Sequence, residues 1–447
     1  MDELHIELVQ LILSYADFPT QIRLRCVCKI FHQKLEIHDF YDIDEKYTKL
    51  LSNDIMCNYS FVRELYALGG SKITDFNNMV NLERLCVGDN INNEQILNLN
   101  LTELILHNSS ITNINHMTRL KKFKCGHVCD IDDSGIKNLN LIELYASGNS
   151  KITNVNHMTN LKILNASYGC GINDAGIANI NLRKLDASSN KKITNVNHMT
   201  DLEILHACER KSGINDAGIA NINLRVLHAN YNFKITNVSH MNKLEILYAD
   251  ERCGINDIGI QNLNLNELRV NDNPRVTNIN HMTRLRILEA TDDSGISDAG
   301  IKEINPDFLD VTNNPRVTNV NHMSYLKTLW AIDACGINDQ GLRNISVDEL
   351  CANDNQKITD INHMTTLKIL RAYENCGIND QGLRKISVEE LYVDNNPKIT
   401  NINHMTSLNV LHAGGNSGIS NDGFCDLNIS VENIYVYDNE KIDKNNT

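Results

Sequence analysis

The sequence is poor in aromatic residues and proline. Aromatic side chains make up 5% of its 447 residues, and it has one tryptophan and 5 prolines. Because 42% of the residues are hydrophobic, a core must consist mainly of Leu, Ile, Val and Ala. No apolar run reaches the roughly 18 residues that a membrane span needs. The chain begins with Asp2 and Glu3 where a signal peptide has basic residues, so we expect no secretion signal.

The sequence also has fewer basic than acidic residues. The chain has 42 Lys and Arg against 56 Asp and Glu, a formal net charge of −14, and no block of five to eight basic residues. An acidic surface repels phosphate backbones and anionic lipid headgroups. We therefore expect neither nucleic acid nor a membrane among the partners.

The 13 cysteines are odd in number and scattered along the chain, which is not typical of a disulfide framework. A reducing compartment is the simpler interpretation, so we expect an intracellular protein of the cytoplasm or the nucleus.

Sequence motifs that carry catalysis are missing as well. The chain has no G-x-S-x-G, no H-E-x-x-H and no phosphate-binding loop. Its Asn-Asp-x-Gly segments resemble part of a calcium loop without the terminal Glu. We expect no enzyme activity, no cofactor and no bound metal.

What the sequence does contain is a repeat. The tripeptide Asn-His-Met recurs, once with Ser for Asn, at intervals of 41 residues with a single interval of 42. Its histidines are His116, His157, His198, His240, His281, His322, His363 and His404.

Each 41-residue block has two halves that follow the pattern L-x-x-L-x-A, as at Leu161–Ala166 and Leu182–Ala187, with Cys170 or Asn190 after it. Both halves resemble the leucine-rich repeat, and about nineteen such units extend from Leu65 to Ile434. The resemblance implies an α/β solenoid, a leucine-rich-repeat horseshoe with a parallel concave sheet.

The residue that follows each strand is expected to support the turn. In leucine-rich repeats the Asn side chain bonds to the backbone of adjacent turns. At the matching place in the other half of the block Cys and Ser interchange in this chain, which argues against a metal or redox role. The Asn series is Asn149, Asn190, Asn232, Asn273, Asn314, Asn355 and Asn396. The Cys/Ser series is Cys129, Cys170, Ser212, Cys253, Ser294, Cys335, Cys376 and Ser417.

The repeated histidines could suggest a ligand site, but they occur in every second unit, roughly 10 Å apart, whereas a metal needs ligands about 2.0–2.1 Å from one point. We expect structural hydrogen bonds, with pH sensing as the alternative. Cys125, His127 and Cys129 could bind zinc, but burial in the core explains both cysteines.

Residues 4–31 do not fit the repeat. Apolar residues recur at helical spacing, Pro19 interrupts them, and Val27-Cys28 precedes a basic residue and an aromatic one. This segment resembles the F-box, with His5 and Ala16 where that family usually has Pro and Leu. The resemblance implies that a Skp-type adaptor binds Leu4, Leu8, Leu11, Ile12, Val27 and Phe31.

We predict a small helical F-box module at 1–40, a linker or cap at 41–60, the solenoid at 61–440 and a polar tail at 441–447. The F-box resemblance implies the substrate-recognition subunit of an SCF-type E3 ubiquitin ligase, which works with a Skp-type adaptor and a cullin and uses its repeats to bind a target protein. The alternative is a ligase-independent scaffold or decoy whose N-terminal helices act only as a cap.

The target site is predicted on the concave face. Successive strand residues point to opposite sides, so the residue between the inward Leu and the inward Ala or Val must face outward. Aromatic and Arg residues, which dominate binding hot spots, are prominent there. The predicted partner-binding residues are His206, His228, Tyr248, Arg269, Glu289, Trp330, Arg371, Tyr392 and His412.

Overall fold

The computed structural model describes residues 3–41, 43–57, 59, 61–68, 71–88, 91–425, 427 and 433–442, without the side chains of residues 3–5, 29, 32 and 45. The chain divides into two compact units. Unit 1 contains residues 1–206 and 211–214, and unit 2 contains residues 207–210 and 215–447.

Unit 1 begins with three helices, α1 (Glu3–Ser14), α2 (Phe18–Cys26) and α3 (Lys29–Lys34). Pro19 lies in the first turn of α2, where its missing N–H costs nothing. The backbone N–H of Thr20 donates to the Asp17 carboxylate at 3.1 Å and caps the same helix. Asp17 and Pro19 therefore end one helix and start the next.

The remainder of unit 1 is a parallel-strand solenoid. Its first strand, β1, pairs with β2 with Asp39 opposite Glu64, and each later strand pairs with the one before it. The strands are β1 (Asp39–Phe40), β2 (Glu64–Ala67), β3 (Arg84–Val87), β4 (Glu103–Leu106), β5 (Lys122–Cys125), β6 (Glu143–Tyr145), β7 (Ile163–Asn165), β8 (Lys184–Asp186) and β9 (Ile204–His206).

Two short helices, α4 (Glu45–Thr48) and α5 (Asn53–Met56), lie between β1 and β2. Thr48, Leu51 and Met56 of this segment are buried, and Ser52 forms a parallel bridge with Lys72. The segment between the F-box helices and the repeats thus packs into the start of unit 1.

Unit 2 repeats the same arrangement, each strand being parallel to its predecessor and in register with it. Its strands are β10 (Val226–His228), β11 (Ile246–Tyr248), β12 (Glu267–Arg269), β13 (Ile287–Glu289), β14 (Phe308–Asp310), β15 (Thr328–Trp330), β16 (Glu349–Cys351), β17 (Ile369–Arg371), β18 (Glu390–Tyr392), β19 (Val410–His412) and β20 (Ile434–Tyr435).

One helical turn with the sequence Asp-x-Gly-[Ile/Leu] follows every second strand. Its glycine is needed because a Cβ on Gly259 would collide with the carbonyl oxygen of Thr236. In unit 1 these helices are α6 (Asp133–Ile136) and α7 (Asp174–Ile177), and the 3-10 helix Asn93–Ile96 precedes them. In unit 2 they are α8 (Asp216–Ile219), α9 (Asp257–Ile260), α10 (Asp298–Ile301), α11 (Asp339–Leu342) and α12 (Asp380–Leu383), with the 3-10 helix Asn421–Gly423.

The core of each unit lies between the strands and these helical turns. Leu247 of β11 is fully buried, as are Ala249, which follows that strand, and Ile260 of α9. Each fully buried Leu or Ile contributes roughly 1.5–3 kcal/mol. Because one repeat cannot close such a core, neighbouring repeats must stack for any of them to fold.

The turn asparagines hold adjacent repeats together, as predicted. Asn273 is fully buried, and its Nδ2 donates to the carbonyl oxygens of Ala249 at 2.8 Å and Ile255 at 3.3 Å. Its Oδ1 accepts from the backbone N–H of Arg275 at 3.1 Å. Asn439 makes the same bonds and extends the series by one member beyond the predicted ones.

The histidines of the Asn-His-Met motif also hold the turns, and their predicted structural role is confirmed. In each of the eight, Nε2 donates to a backbone carbonyl oxygen 20 or 21 residues earlier at 3.0–3.1 Å, as His281 does to Ile260. That carbonyl lies at the C-terminal end of a short helix, where few partners are available.

Candidate adaptor-binding and partner-binding surfaces

The F-box helices expose an apolar surface. Leu8 is 55% exposed, Ile12 63% and Val27 65%, and Leu11 is exposed as well, whereas Phe31 is half-buried. Leu4 belongs to α1, but its side chain lies outside the described residues. Large apolar side chains grouped in this way are typical of an interaction surface.

The opposite side of the F-box helices packs on the start of the solenoid in unit 1. Leu13 is buried, and the Gln10 side chain exchanges two hydrogen bonds of 2.7 Å with the backbone of Glu36. Phe18 packs edge-on against Phe40 of β1, with ring centroids 5.1 Å apart. The helices therefore cover the first strand while Leu8, Leu11 and Ile12 remain exposed.

We call the solvent-facing side of the sheet the outer face. It consists of the first and third residue of each strand and the residue two positions after the third. In the two-residue strand β20, the equivalent residues are Tyr435, opposite His412, and Tyr437. In unit 2, His228 stacks on Tyr248 with ring centroids 4.2 Å apart, and the Arg269 guanidinium lies 4.3 Å from the centre of the Tyr248 ring. Arg269 is also paired with Glu267 at 3.0 Å and Glu289 at 3.2 Å.

A second cluster repeats this arrangement further along unit 2. The Arg371 guanidinium lies 4.2 Å from the centre of the Tyr392 ring, and its Nε donates to Glu349 at 3.2 Å. Tyr392 stacks on His412 at 4.5 Å, and His412 stacks on Tyr435 at 4.3 Å. Burial lowers the pKa of His412, so this row of rings is uncharged near neutral pH.

Trp330 lies between the two clusters and is 36% exposed. Its ring meets Phe308 of the preceding strand edge-on at 5.4 Å. On its other side, in register, is Cys351. That thiol is buried although it occupies an outer position, and burial raises its pKa to about 11. Trp330 is thus held by its neighbours without filling the core.

The outer faces of the two units differ in charge. In β10–β20 of unit 2 the outer positions carry seven carboxylates and two guanidinium groups, a balance of 2 − 7 = −5. These residues are Asp250, Glu267, Arg269, Glu289, Asp310, Glu349, Arg371, Glu390 and Asp394. In β2–β9 of unit 1 four acidic groups are matched by four basic ones, namely Glu64, Arg84, Glu103, Lys122, Lys124, Glu143, Lys184 and Asp186.

Three of the acidic groups in unit 2, Asp250, Asp310 and Asp394, are buried despite their outer positions. Burial raises the pKa of Asp250 to about 6, while the backbone N–H of Asn271 donates to its carboxylate at 2.9 Å. Burial also raises the pKa of Asp310, whose carboxylate accepts from the backbone N–H of Thr312 at 2.9 Å.

The predicted residues fall into two sets. His206 belongs to β9 of unit 1, where burial lowers its pKa. The other eight predicted residues lie on the outer face of unit 2. The prediction omitted Phe308, Glu267 and Tyr435, which contact its members. Phe308 and Glu267 occupy the first position of their strands, and Tyr435 belongs to the last strand. A prediction that included the first strand position as well as the third, and that continued to the last strand, would have found all three residues.

Burial in the core accounts for Cys125 and Cys129, which together with His127 could suggest a zinc site. Both cysteines are buried, burial raises the pKa of Cys125, and Cys129 Sγ donates to the carbonyl oxygen of Leu106 at 3.5 Å. Over the described part of the chain, no three His, Cys, Asp or Glu residues converge as metal ligands do. Within the same residues, no helix combines the length and apolar character of a membrane span.

Comparison with known families matches residues 1–43 to the F-box domain. No curated protein matches the sequence. The crystal structure of the TLR13–ssRNA13 complex superimposes with a TM-score of 0.53 at 19% identity, over 90% of this chain and 66% of that chain. This chain therefore spans slightly less than two thirds of the TLR13 chain.

Two Listeria monocytogenes proteins also align. The functional domain of InlJ, which includes a cysteine ladder, has a TM-score of 0.30 at 14% identity, over 80% of this chain and 69% of that one. An internalin, InlF, has a TM-score of 0.30 at 16% identity, over 87% of this chain and 94% of that one.

The TLR13 likeness shows the leucine-rich-repeat fold, and the family match shows an F-box domain that extends through β1. The predicted resemblance and fold class are confirmed: the chain combines an N-terminal F-box domain with a leucine-rich-repeat solenoid. This combination defines an interaction scaffold.

Proposed function

We propose that the chain is the substrate-recognition subunit of an SCF-type E3 ubiquitin ligase. The F-box domain binds a Skp-type adaptor, and through it a cullin, while the outer face of the repeats binds the target protein. Ubiquitin transfer is carried out by the partners, so the chain itself is a non-catalytic adaptor. On this proposal it works inside the cell, in the cytoplasm or the nucleus.

The observation that carries the proposal is the exposed apolar surface of the F-box helices. F-box domains generally bind Skp-type adaptors, and here Leu8, Leu11, Ile12 and Val27 are exposed on a domain whose opposite side is already packed. An adaptor would bury these side chains at roughly 25 cal/mol per Å² of apolar surface.

The test is co-purification with a purified Skp-type adaptor. We expect Leu8→Asp to abolish detectable binding, because a carboxylate at the centre of an apolar interface costs on the order of 2 kcal/mol or more. Val80→Asp is the matched control, since Val80 is an apolar residue of unit 1 that is 67% exposed and lies outside the F-box domain. It should bind as the wild type does.

A second function is supported by the packing of the F-box helices on β1. Helices that cover Phe40 and exchange hydrogen bonds with Glu36 would also suit a scaffold or decoy that needs only a cap. Absence of adaptor binding by the wild type, together with a lower melting temperature when residues 1–34 are deleted, would favour this function over the ligase.

A further inference from the structure

The outer face of unit 2 has an excess of negative charge that its own cations do not balance. Seven carboxylates, three of them buried, face two guanidinium groups. Both guanidinium groups are already engaged, Arg269 between Glu267 and Glu289 and Arg371 with Glu349. A face of this sign attracts cationic groups and repels phosphate.

The two arginines show how this face accommodates a cation. Each guanidinium lies over a tyrosine ring, 4.3 Å from the centre for Arg269 and 4.2 Å for Arg371. Its nitrogens bond to a carboxylate at the first position of a strand, its own for Arg269 and the preceding one for Arg371. Ring and carboxylate together hold a cation better than either does alone.

Two further ring–carboxylate pairs have no Lys or Arg at the outer positions of their strands. Asp310 of β14 is in register with Trp330 of β15. Asp394, beyond β18, and the ring of Tyr437, beyond β20, both lie over Gly414. Tyr437 is largely exposed. Each pair places an aromatic ring next to a carboxylate, as around Arg269 and Arg371, although these two carboxylates are only 9% (Asp310) and 8% (Asp394) exposed.

The spacing of these pairs sets the size of the ligand. Asp310 and the residues around Gly414 are five strands apart, roughly 24 Å at the usual strand spacing. An extended polypeptide covers this distance with about seven residues. A single metal ion or a short amine cannot contact both pairs at once.

We propose that the outer face of unit 2 binds a lysine- and arginine-containing segment of a partner protein, whose cationic groups contact the Asp310–Trp330 and Asp394–Tyr437 pairs. The inference rests on the proposed function, because it names the chemistry of the target that the scaffold would present.

The test compares two full-length variants with the same net charge. Asp310→Asn, Asp394→Asn removes two charges from unit 2, and Asn can still accept from the N–H groups of Thr312 and Gly414 that the carboxylates engage. Glu143→Gln, Asp186→Asn removes two charges from the outer face of unit 1. The probe is a fluorescein-labelled peptide of about twelve residues that alternates Lys and Arg with Gly and Ser, and its dissociation constant is measured by fluorescence anisotropy.

We expect the unit 2 variant to bind about tenfold more weakly than the wild type, because it loses two ionic contacts with the peptide. The unit 1 variant should stay within about twofold. Thermal melting of both variants checks that they are folded, and Trp330→Ala, which removes no charge, provides a second variant with the same expected loss.

Equal losses in both charge variants would show attraction to an acidic protein in general and would overturn the inference. So would wild-type binding no tighter than that of a peptide with Glu in place of Lys and Arg, or complete competition by equimolar spermine. Adaptor co-purification is measured on the same preparations. Adaptor binding without peptide selectivity removes only this inference, whereas loss of adaptor binding removes the proposed function.

Discussion

The outer faces of β2–β9 and of β10–β20 are built on the same buried framework and differ in what they present. Leu144 and Leu268 occupy equivalent buried positions in the two units, and both are fully buried. Outward from them, unit 1 has four acidic and four basic groups with two tyrosines, whereas unit 2 has a balance of −5 with seven aromatic residues.

This difference shows which positions of the repeat are constrained by packing. Inward positions are fixed because close packing penalises any change in volume. Outer positions carry no such constraint, so their composition is free to follow a partner. Aromatic residues are enriched at protein interfaces, and an excess of one charge favours a partner of the opposite sign.

The largest effect that separates the two units is expected from the double variant Trp330→Ala, Arg371→Ala. Each truncation should cost on the order of 2 kcal/mol of affinity for a bound protein partner, as hot-spot residues do, while the melting temperature stays unchanged because neither side chain fills the core. Isothermal titration with a purified partner measures the loss. The matched unit 1 variant is Tyr145→Ala, Lys124→Ala, and full affinity in the unit 2 variant would exclude this face as the site.

The buried framework should respond alike in the two units. Asn190→Ala in unit 1 and Asn273→Ala in unit 2 each remove hydrogen bonds to backbone groups of the adjacent turn. Each should lower the free energy of unfolding by roughly 1–3 kcal/mol, because the carbonyl groups stay buried without a donor. Urea denaturation followed by circular dichroism gives both values. An Asn273→Ala variant of unchanged stability that no longer binds a partner would assign this residue to the site instead.

The smallest effect concerns pH. Burial raises the pKa of Asp250 to about 6 from the ordinary 3.8, so the folded chain holds a proton that the unfolded chain has already lost between these values. The contribution of Asp250 to the stability of the folded chain should therefore be most favourable below pH 4 and should decrease as the pH rises to about 6. Asp250→Asn should abolish that fall and raise stability at pH 7.5 by about 1–2 kcal/mol.

The control for the pH experiment is Asp186→Asn in unit 1, whose side chain is half-buried and should change stability less. Thermal melting of the wild type and both variants from pH 4 to pH 8 provides the comparison. A pH profile of Asp250→Asn identical to that of the wild type would show that Asp250 is solvated in the folded chain.

Much of the outer face was predictable because strand alternation alone decides which residues face outward. Tyr248, Arg269 and Trp330 could be placed on one face from the period of two within L-x-x-L-x-A. The pairing of Arg269 with both Glu267 and Glu289 could not, because it depends on side-chain rotamers in two neighbouring strands. The burial of Cys351 was also missed, since a short side chain between Trp330 and Arg371 lies below its neighbours, and strand alternation ignores side-chain length.

By itself the sequence determined the repeat length, the inward Leu and Ala positions, the turn asparagines and the F-box segment, because each of these follows from local spacing and residue type. Tertiary structure alone decided that the segment between the F-box helices and the repeats packs against them, with β1 pairing to β2 and Met56 buried. That segment has no repeat pattern, so its conformation depends on contacts with residues far away in the chain. The charge of the outer face likewise emerged only when residues about 20 positions apart were brought side by side in register.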